Sequence, residues 1–130
     1  MTPEMIIDEP DVVAEVLAAF IAYEAALMAD DVPVMDRLFH DHPTTIRYGV
    51  GEVLYGADAI RAFRKGRGGS PQRRLGMVAI HAFGRDHATA NAEFFRDGDA
   101  RRGRQSQTWV RFADGWKVVA AHVSIEGTGS

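Results

Sequence analysis

The second half of the chain constrains the fold most, because it reads as four consecutive strands joined by short turns. The strands are predicted at residues 72–83, 86–97, 101–112 and 115–125. Each connection is rich in turn-forming residues: Gly84-Arg85, Asp97-Gly98-Asp99 and Asp114-Gly115. Strands joined by such short turns pair with their chain neighbours, which predicts an antiparallel meander.

Three helices and a short hairpin are predicted before the meander. From Asp11 to Ala29 apolar residues recur at helical spacing: Val13, Val16, Leu17, Phe20, Tyr23 and Leu27. The segments "DDVPVMDRLFHDHP" and "GADAIRAFRKGRGG" predict a second and a third helix, and residues 44–50 and 52–55 predict two short strands between them. Helices followed by an antiparallel sheet indicate one α+β domain over residues 1–130, with a curved sheet wrapped around the helices.

Composition excludes several classes of function. The 130 residues carry a formal charge of -3, whereas general nucleic-acid binders usually have a basic excess. The chain has no cysteine, so disulfides, thiolate zinc sites and cysteine nucleophiles are excluded. The N-terminus lacks a signal-peptide pattern, and we expect no segment to approach the roughly 20 apolar residues of a membrane span. We therefore expect a soluble cytoplasmic protein that binds neither nucleic acid nor membrane.

Arg47 stands inside a predicted strand, "TTIRYG", between Ile46 and Tyr48. Strand alternation puts it on one face with Thr45 and Gly49. If that face is convex, the arginine is simply solvated. If it is concave, the small neighbours leave room for a ligand, and a buried guanidinium needs an anion such as a carboxylate.

Tyr23 lies on the apolar stripe of the first helix, three residues after Phe20 and four before Leu27. Its phenol is therefore expected to project toward the sheet, either as a core tyrosine with a hydrogen-bonded hydroxyl or as a pocket residue.

The last two strands carry further polar candidates. Gln105, Gln107 and Trp109 share one strand face, and amides beside an indole suit a planar ligand of the urea type. The alternative is a polar outer face of an exposed strand. On the final strand, alternation groups His122 and Ser124 with Trp116 and Val118, which makes them second-rank pocket residues, although a lone histidine there is more often structural.

No metal or nucleophile motif is convincing. "HDHP" offers His40 and His42 without an obvious third ligand. "GRGG" lacks the Gly-Lys-Ser/Thr ending of a phosphate loop, and no Gly-x-Ser-x-Gly elbow occurs. The basic residues of 61–74 form a local patch that is either solvated or placed to steer anions toward a pocket. We expect no metal and no cofactor.

The order helix, helix, hairpin, helix and long meander resembles the SnoaL-like, or nuclear-transport-factor-two-like, cone fold. "YGADAIRAF" and "DGWKVVAAHVS" carry that resemblance. "FIAYEAALMADD", "HPTTIRYGVGE" and "QSQTWVRFADGWKVVAAHVS" narrow it to the AtzH-like (or HpxZ-like) group, which includes proteins named for oxalurate catabolism.

The resemblance implies a small cofactor-free enzyme that acts on N-carboxylated ureas such as 1,3-dicarboxyurea, in cyanuric-acid or oxalurate-type nitrogen catabolism. It implies decarboxylating amide hydrolysis, with Tyr23 and Arg47 as the catalytic residues. It also implies a functional link to an amidase-signature enzyme. The rival expectation is a non-catalytic module that binds a ureido carboxylate or assists an amidase. A homodimer is expected because the convex face of the meander is too large for one short chain to cover. The residues expected at its interface, where alternation places aromatics on both strand faces, are Trp109 or Val110, Phe112, and Phe94 or Phe95.

Overall fold

Residues 4–127 are described by the computed structural model of the chain. These residues form three helices and six strands in the order α1 (Pro10–Ala29), α2 (Val32–Leu38), β1 (Ile46–Tyr48), β2 (Val53–Tyr55), α3 (Ala57–Arg67), β3 (Arg73–Phe83), β4 (His87–Arg96), β5 (Gly103–Phe112) and β6 (Gly115–Ile125). All the predicted elements are present, with ends that differ by a few residues at most. The α+β prediction is confirmed.

The six strands form one sheet in the order β2-β1-β6-β5-β4-β3. Strands β3 to β6 are the predicted antiparallel meander, whereas β1 pairs with β6 in parallel. The ladder between β5 and β6 is interrupted, because Trp109 pairs with Val118 and Thr108 with Ala120, which leaves Val119 without a partner. Such a bulge bends the strand and exchanges the faces of the residues that follow it.

Helix α1 covers the concave side of the sheet and supplies much of the core. Val12, Val16 and Phe20 are at most 1% exposed. Their spacing of four residues keeps them on one side of the helix. Leu17, which was predicted to face inward, is 41% exposed because the buried stripe runs through Val12 instead.

By length and composition, α1 is also apolar enough to cross a membrane, with a mean hydropathy of 1.9 over its most apolar window. The expectation that no segment approaches a membrane span was therefore wrong as a statement about composition. One such helix near the N-terminus is weak evidence of a span, since core helices of soluble proteins have the same character. Here the buried stripe of α1 belongs to the hydrophobic core.

Helix α2 packs against α1 and β6, and helix α3 packs against the β1–β2 hairpin. The Asp31 side chain accepts a hydrogen bond from the Val34 amide and begins α2, whose Met35 is fully buried. In α3, Ile60 is buried as predicted, and the helix ends at Gly68, whose φ of 72° suits a residue without a side chain. The last turn of α3 is thereby held at the edge of the concave face.

Candidate active site

A partly enclosed cavity of about 120 Å³ opens between α1, the β1–β2 hairpin, the end of α3 and the concave face of the sheet. Its lining combines an unusual number of arginines with a phenol, an amide and apolar side chains. The lining residues are Tyr23, Leu27, Arg47, Val50, Glu52, Phe63, Arg67, Ser70, Pro71, Arg73, Arg96, Gln105, Ala121 and Val123. Only a small ligand fits such a space, and the basic lining favours an anion.

Arg47 points into this cavity, which is the inward of the two orientations that the sequence left open. It is 8% exposed, and its Nη1 donates to Oε1 of Glu52 at 2.6 Å. The chain therefore supplies the buried guanidinium with a carboxylate of its own, which the sequence interpretation did not anticipate. Because this bond uses Nη1, the other nitrogen donors of Arg47 remain for a ligand.

The turn between β1 and β2 brings Glu52 to the arginine. Gly49 donates its backbone N–H to the Glu52 carbonyl, and Gly51 donates to Oε2 of the Glu52 side chain. A Cβ on Gly49 would lie 1.7 Å from Glu52 Oε1. The carboxylate thus occupies the space that a side chain at Gly49 would fill, and the small residue beside Arg47 makes room for Glu52.

Tyr23 reaches the cavity from α1 and is 4% exposed. Its ring packs against Phe39 with 5.6 Å between centroids. Tyr23 thus packs against the hydrophobic core and also lines the pocket. Tyr23 and Arg67 line the same cavity.

Arg73, the first residue of β3, also lines the cavity. It forms a two-point ion pair with Glu24 of α1, at 2.6 and 3.0 Å, and donates to Gln105 Oε1 at 3.0 Å. This second bond fixes the orientation of the Gln105 amide. The Nε2 group of Gln105 is buried and has no hydrogen-bond partner within residues 4–127. A buried unpaired N–H group is costly, so it marks a donor available to a ligand.

Arg67 lies at the C-terminal end of α3 and has no ion pair within the described part of the chain. Its guanidinium stands 5.3 Å from the centroid of the Phe63 ring, and that of Arg47 stands 5.4 Å from the same ring. Burial, and after it the charge of Arg47, lowers the pKa of Arg67. The Nε of Arg67 is buried without a partner.

The charges of the cavity do not cancel. Its four arginines are Arg47, Arg67, Arg73 and Arg96, and the described residues supply two carboxylates to them, Glu52 to Arg47 and Glu24 to Arg73. Two positive charges are therefore left without a carboxylate. An enclosed excess of this kind is favourable only with bound anions.

The remaining candidates predicted from sequence do not line this cavity. Trp109 is fully buried in the core, and its Nε1 donates to Gln107 Oε1 at 3.0 Å. Gln107 is therefore occupied in holding the indole. Of the three residues predicted on this face of β5, the structure brings only Gln105 to the cavity.

The predicted placement of His122 and Ser124 is corrected by the bulge at Val119. Before the bulge, Trp116 and Val118 face the core; after it, the cavity-lining residues of β6 are Ala121 and Val123. His122 and Ser124 lie on the opposite, convex face of the sheet. His122 is exposed and meets the Tyr48 ring edge-on, and Ser124 accepts a hydrogen bond from Arg104. Uninterrupted alternation through β6 was the wrong assumption.

The "HDHP" histidines form a stack. The His40 ring lies between those of His42 and Phe112, with centroid distances of 5.3 and 4.1 Å. Within residues 4–127 no group of three or more histidine, aspartate or glutamate side chains is arranged to hold a metal ion.

Sequence reasoning missed Glu52, and it treated Arg67 and Arg73 only as members of a basic patch. The position of Glu52 could have been predicted from the hairpin. Gly49 pairs with Glu52 across the turn, and Gly49 is on the same strand face as Arg47, so Glu52 shares that face. The residues of this patch have different environments. Arg67 and Arg73 line the cavity, whereas Arg64 is buried in an ion pair with Asp36.

Comparison with known proteins agrees with this fold. The AtzH-like family model matches residues 5–129. A solved protein of unknown function from Pectobacterium atrosepticum is 46% identical, with a TM-score of 0.92 over 95% of this chain and 100% of its own. A cystatin-like fold protein from Burkholderia xenovorans is also 46% identical, with a TM-score of 0.92 over 96% and 99% of the two chains. No curated protein matches the sequence.

A more distant structure shows the same fold only. An NTF2-like protein of unknown function from Pseudomonas putida is 17% identical, with a TM-score of 0.77 over 92% of this chain and 90% of its own. The molecule is thus an NTF2-like, or SnoaL-like, cone with a basic cavity. More narrowly, the chain belongs to the AtzH-like family, as its sequence motifs predicted.

Proposed function

We propose that the protein is a cofactor-free enzyme that removes carbon dioxide from an N-carboxylated urea of the 1,3-dicarboxyurea type. The observation that carries the proposal is the charge of the cavity: two guanidinium groups in excess of carboxylates surround a space of about 120 Å³ next to a phenol. A doubly charged, compact and planar ligand matches this arrangement. Membership of the AtzH-like family supports the same substrate class.

In this proposal, Arg47 binds one carboxylate of the substrate. Glu52 occupies a single nitrogen of the guanidinium, so the arginine keeps donors for a second acceptor and its orientation is fixed in advance. A guanidinium held in place by its own ion pair loses little side-chain entropy when a ligand binds. Gln105 supplies the unpaired Nε2 donor for the urea carbonyl oxygen.

Tyr23 supplies the proton in the proposed reaction. The bond between the carboxylate carbon and the urea nitrogen breaks, its electron pair stays on nitrogen, and the phenol donates a proton to that nitrogen. Carbon dioxide leaves as a neutral molecule, and the dianion becomes the urea-1-carboxylate monoanion. Water then reprotonates the tyrosinate, which releases hydroxide and balances the charge. Attack by water on the carboxylate carbon is the other balanced route, and it releases bicarbonate instead.

The proposal is tested by incubating purified protein with freshly generated 1,3-dicarboxyurea and measuring its loss against the spontaneous rate in buffer. We expect catalytic acceleration at substoichiometric protein, with urea-1-carboxylate as product. A module that only binds a ureido carboxylate would leave the rate unchanged or slow it in proportion to the protein added. Either result would exclude the enzymatic reading. The identity of the first inorganic product, carbon dioxide or bicarbonate, separates the two routes.

We also propose a cytoplasmic homodimer that acts beside an amidase-signature enzyme. Exposed apolar side chains on the convex side of the sheet support the dimer, with Met77 at 70% and Val53 and Tyr55 at 62% exposure. Trp109 and Phe94, first considered for this interface, are core residues. The candidates Val110, Phe95 and Phe112 remain partly exposed. A monomeric mass by light scattering at micromolar concentration would refute the dimer.

A further inference from the structure

We infer that Arg67 binds a second anionic group of the ligand, so that the cavity selects a dicarboxylate over the matching monocarboxylate. The inference deepens the proposed function and rests on it for the identity of the natural substrate. According to this inference, Arg67 determines the preference for dicarboxylates, and Tyr23 and Arg47 do not.

The first support is the contrast between the two guanidinium groups beside Phe63. Arg47 and Arg67 stand 5.4 and 5.3 Å from the centroid of the ring, but Glu52 pairs with Arg47 alone. Arg67 keeps an unpaired buried Nε, with no ion pair inside residues 4–127. Its position in the last turn of α3 suits a cation, since the helix dipole is negative there, but that explains neither the burial nor the missing partner.

The second support is the repulsion between the charges of Arg47 and Arg67. The charge of Arg47 acts on Arg67 and, after burial, is the main cause of the lowered pKa of Arg67. Two cations beside the same ring in a partly enclosed cavity raise each other's energy, and an anionic group bound at Arg67 lowers that cost. A ligand with only one carboxylate, bound at Arg47, leaves Arg67 uncompensated.

The third support comes from the change of charge in the reaction. Loss of carbon dioxide converts a dianion into a monoanion, so a site matched to two negative charges binds substrate better than product. Arg96, the other cavity arginine without a carboxylate among the described residues, stands 6.0 Å from the centroid of Phe94. Among the described residues, Arg67 has a buried nitrogen without a partner and Arg96 does not, so the observations single out Arg67.

The chain offers a closely matched control. Arg74 also stacks on a phenylalanine, with 4.6 Å to the Phe95 centroid, but it is exposed and lies outside the cavity. Arg67→Gln and Arg74→Gln therefore remove the same charge, and only one of them removes it from the site.

The test measures binding of glutarate and butyrate by calorimetry. Glutarate has the same number of atoms between its carboxylates as 1,3-dicarboxyurea and cannot react, and butyrate is the same chain with one carboxylate removed. We expect the wild type and Arg74→Gln to bind glutarate more tightly than butyrate, by about 10- to 100-fold. Arg67→Gln should lose most of that ratio while its affinity for butyrate changes little. The inference would be overturned if Arg67→Gln kept the glutarate-to-butyrate affinity ratio, if Arg74→Gln lost it equally, or if the wild type showed no such ratio. It would also be overturned if neither acid bound measurably.

A kinetic arm separates this inference from the proposed function. With 1,3-dicarboxyurea, Arg67→Gln should raise KM by about 10- to 100-fold and change kcat much less, because it removes binding of a group remote from the breaking bond. An unchanged KM in an active Arg67→Gln enzyme contradicts the role of Arg67 alone. A wild type that does not accelerate dicarboxyurea loss refutes the proposed function, and the glutarate ratio then still decides whether Arg67 recognises dianions.

Discussion

The two faces of the sheet carry similar polar residues but hold them in different ways. On the convex face, Ser106 donates to Asn91 at 2.6 Å and Arg104 donates to Ser124, and these side chains are mostly exposed to water. On the concave face, Arg47 and Gln105 are buried. Exposed polar groups can exchange partners with solvent, whereas buried ones must find partners in the protein or in a ligand. Residue type alone therefore does not identify the site.

The largest expected effect on activity comes from removing the hydroxyl group of Tyr23, on the concave side of the sheet. Tyr23→Phe should lower dicarboxyurea turnover by roughly 100-fold or more, the usual scale for losing a general acid or base. The ring still fills the space beside Phe39, so the melting temperature should stay close to that of the wild type. Tyr55→Phe, a hydroxyl deletion on the convex side at a 62% exposed residue, is the control and should remain fully active. Wild-type turnover in folded Tyr23→Phe would remove the tyrosine from the mechanism.

The next largest effect is expected from replacing the planar guanidinium of Arg47 by an ammonium group. Arg47→Lys keeps one positive charge but cannot donate to Glu52 and to a carboxylate in fixed, planar directions. We expect kcat/KM to fall by about 10- to 100-fold, the equivalent of one or two charge-assisted hydrogen bonds. Steady-state kinetics with dicarboxyurea measure the loss, and Arg104→Lys on the convex face serves as the matched change. Equal kinetics in both lysine variants would show that only charge matters at Arg47.

Features set by residues close together in sequence were predicted correctly, whereas features set by contacts between distant residues were not. The helices, the meander and the inward position of Tyr23 depend on local periodicity, which is visible along the chain. The bulge at Val119 has no local signal in "WKVVAAHVS", and it alone moves His122 and Ser124 to the other face. The Arg73–Glu24 pair joins residues 49 positions apart, so only the folded arrangement reveals it.

A smaller and opposite effect is expected at the carboxylate that compensates Arg47. Glu52→Gln still offers an acceptor to Nη1 but removes one negative charge, so the excess in the cavity rises from two to three positive charges. Glutarate binding should strengthen by about threefold to tenfold, while turnover falls several-fold because the orientation of Arg47 is held less firmly. Calorimetry and kinetics on the same preparation measure both. Glu126→Gln, which breaks an exposed pair with Arg102, should change neither. Weaker glutarate binding in Glu52→Gln would mean that Glu52 contributes to the anion site instead of competing for its charge.

The smallest expected effect tests the convex face directly. The double variant His122→Ala, Ser124→Ala removes both residues that alternation had grouped with the pocket. Since the bulge at Val119 points them away from the cavity, dicarboxyurea turnover and the glutarate-to-butyrate ratio should both stay within about twofold of the wild type. Stability should change little as well, because an exposed histidine edge and a hydrogen bond at 3.3 Å to Arg104 contribute little where water competes. Light scattering on the same sample checks that the convex face still supports the same oligomer. A loss of turnover at unchanged mass would place a functional group on the convex face and break the distinction between the two faces.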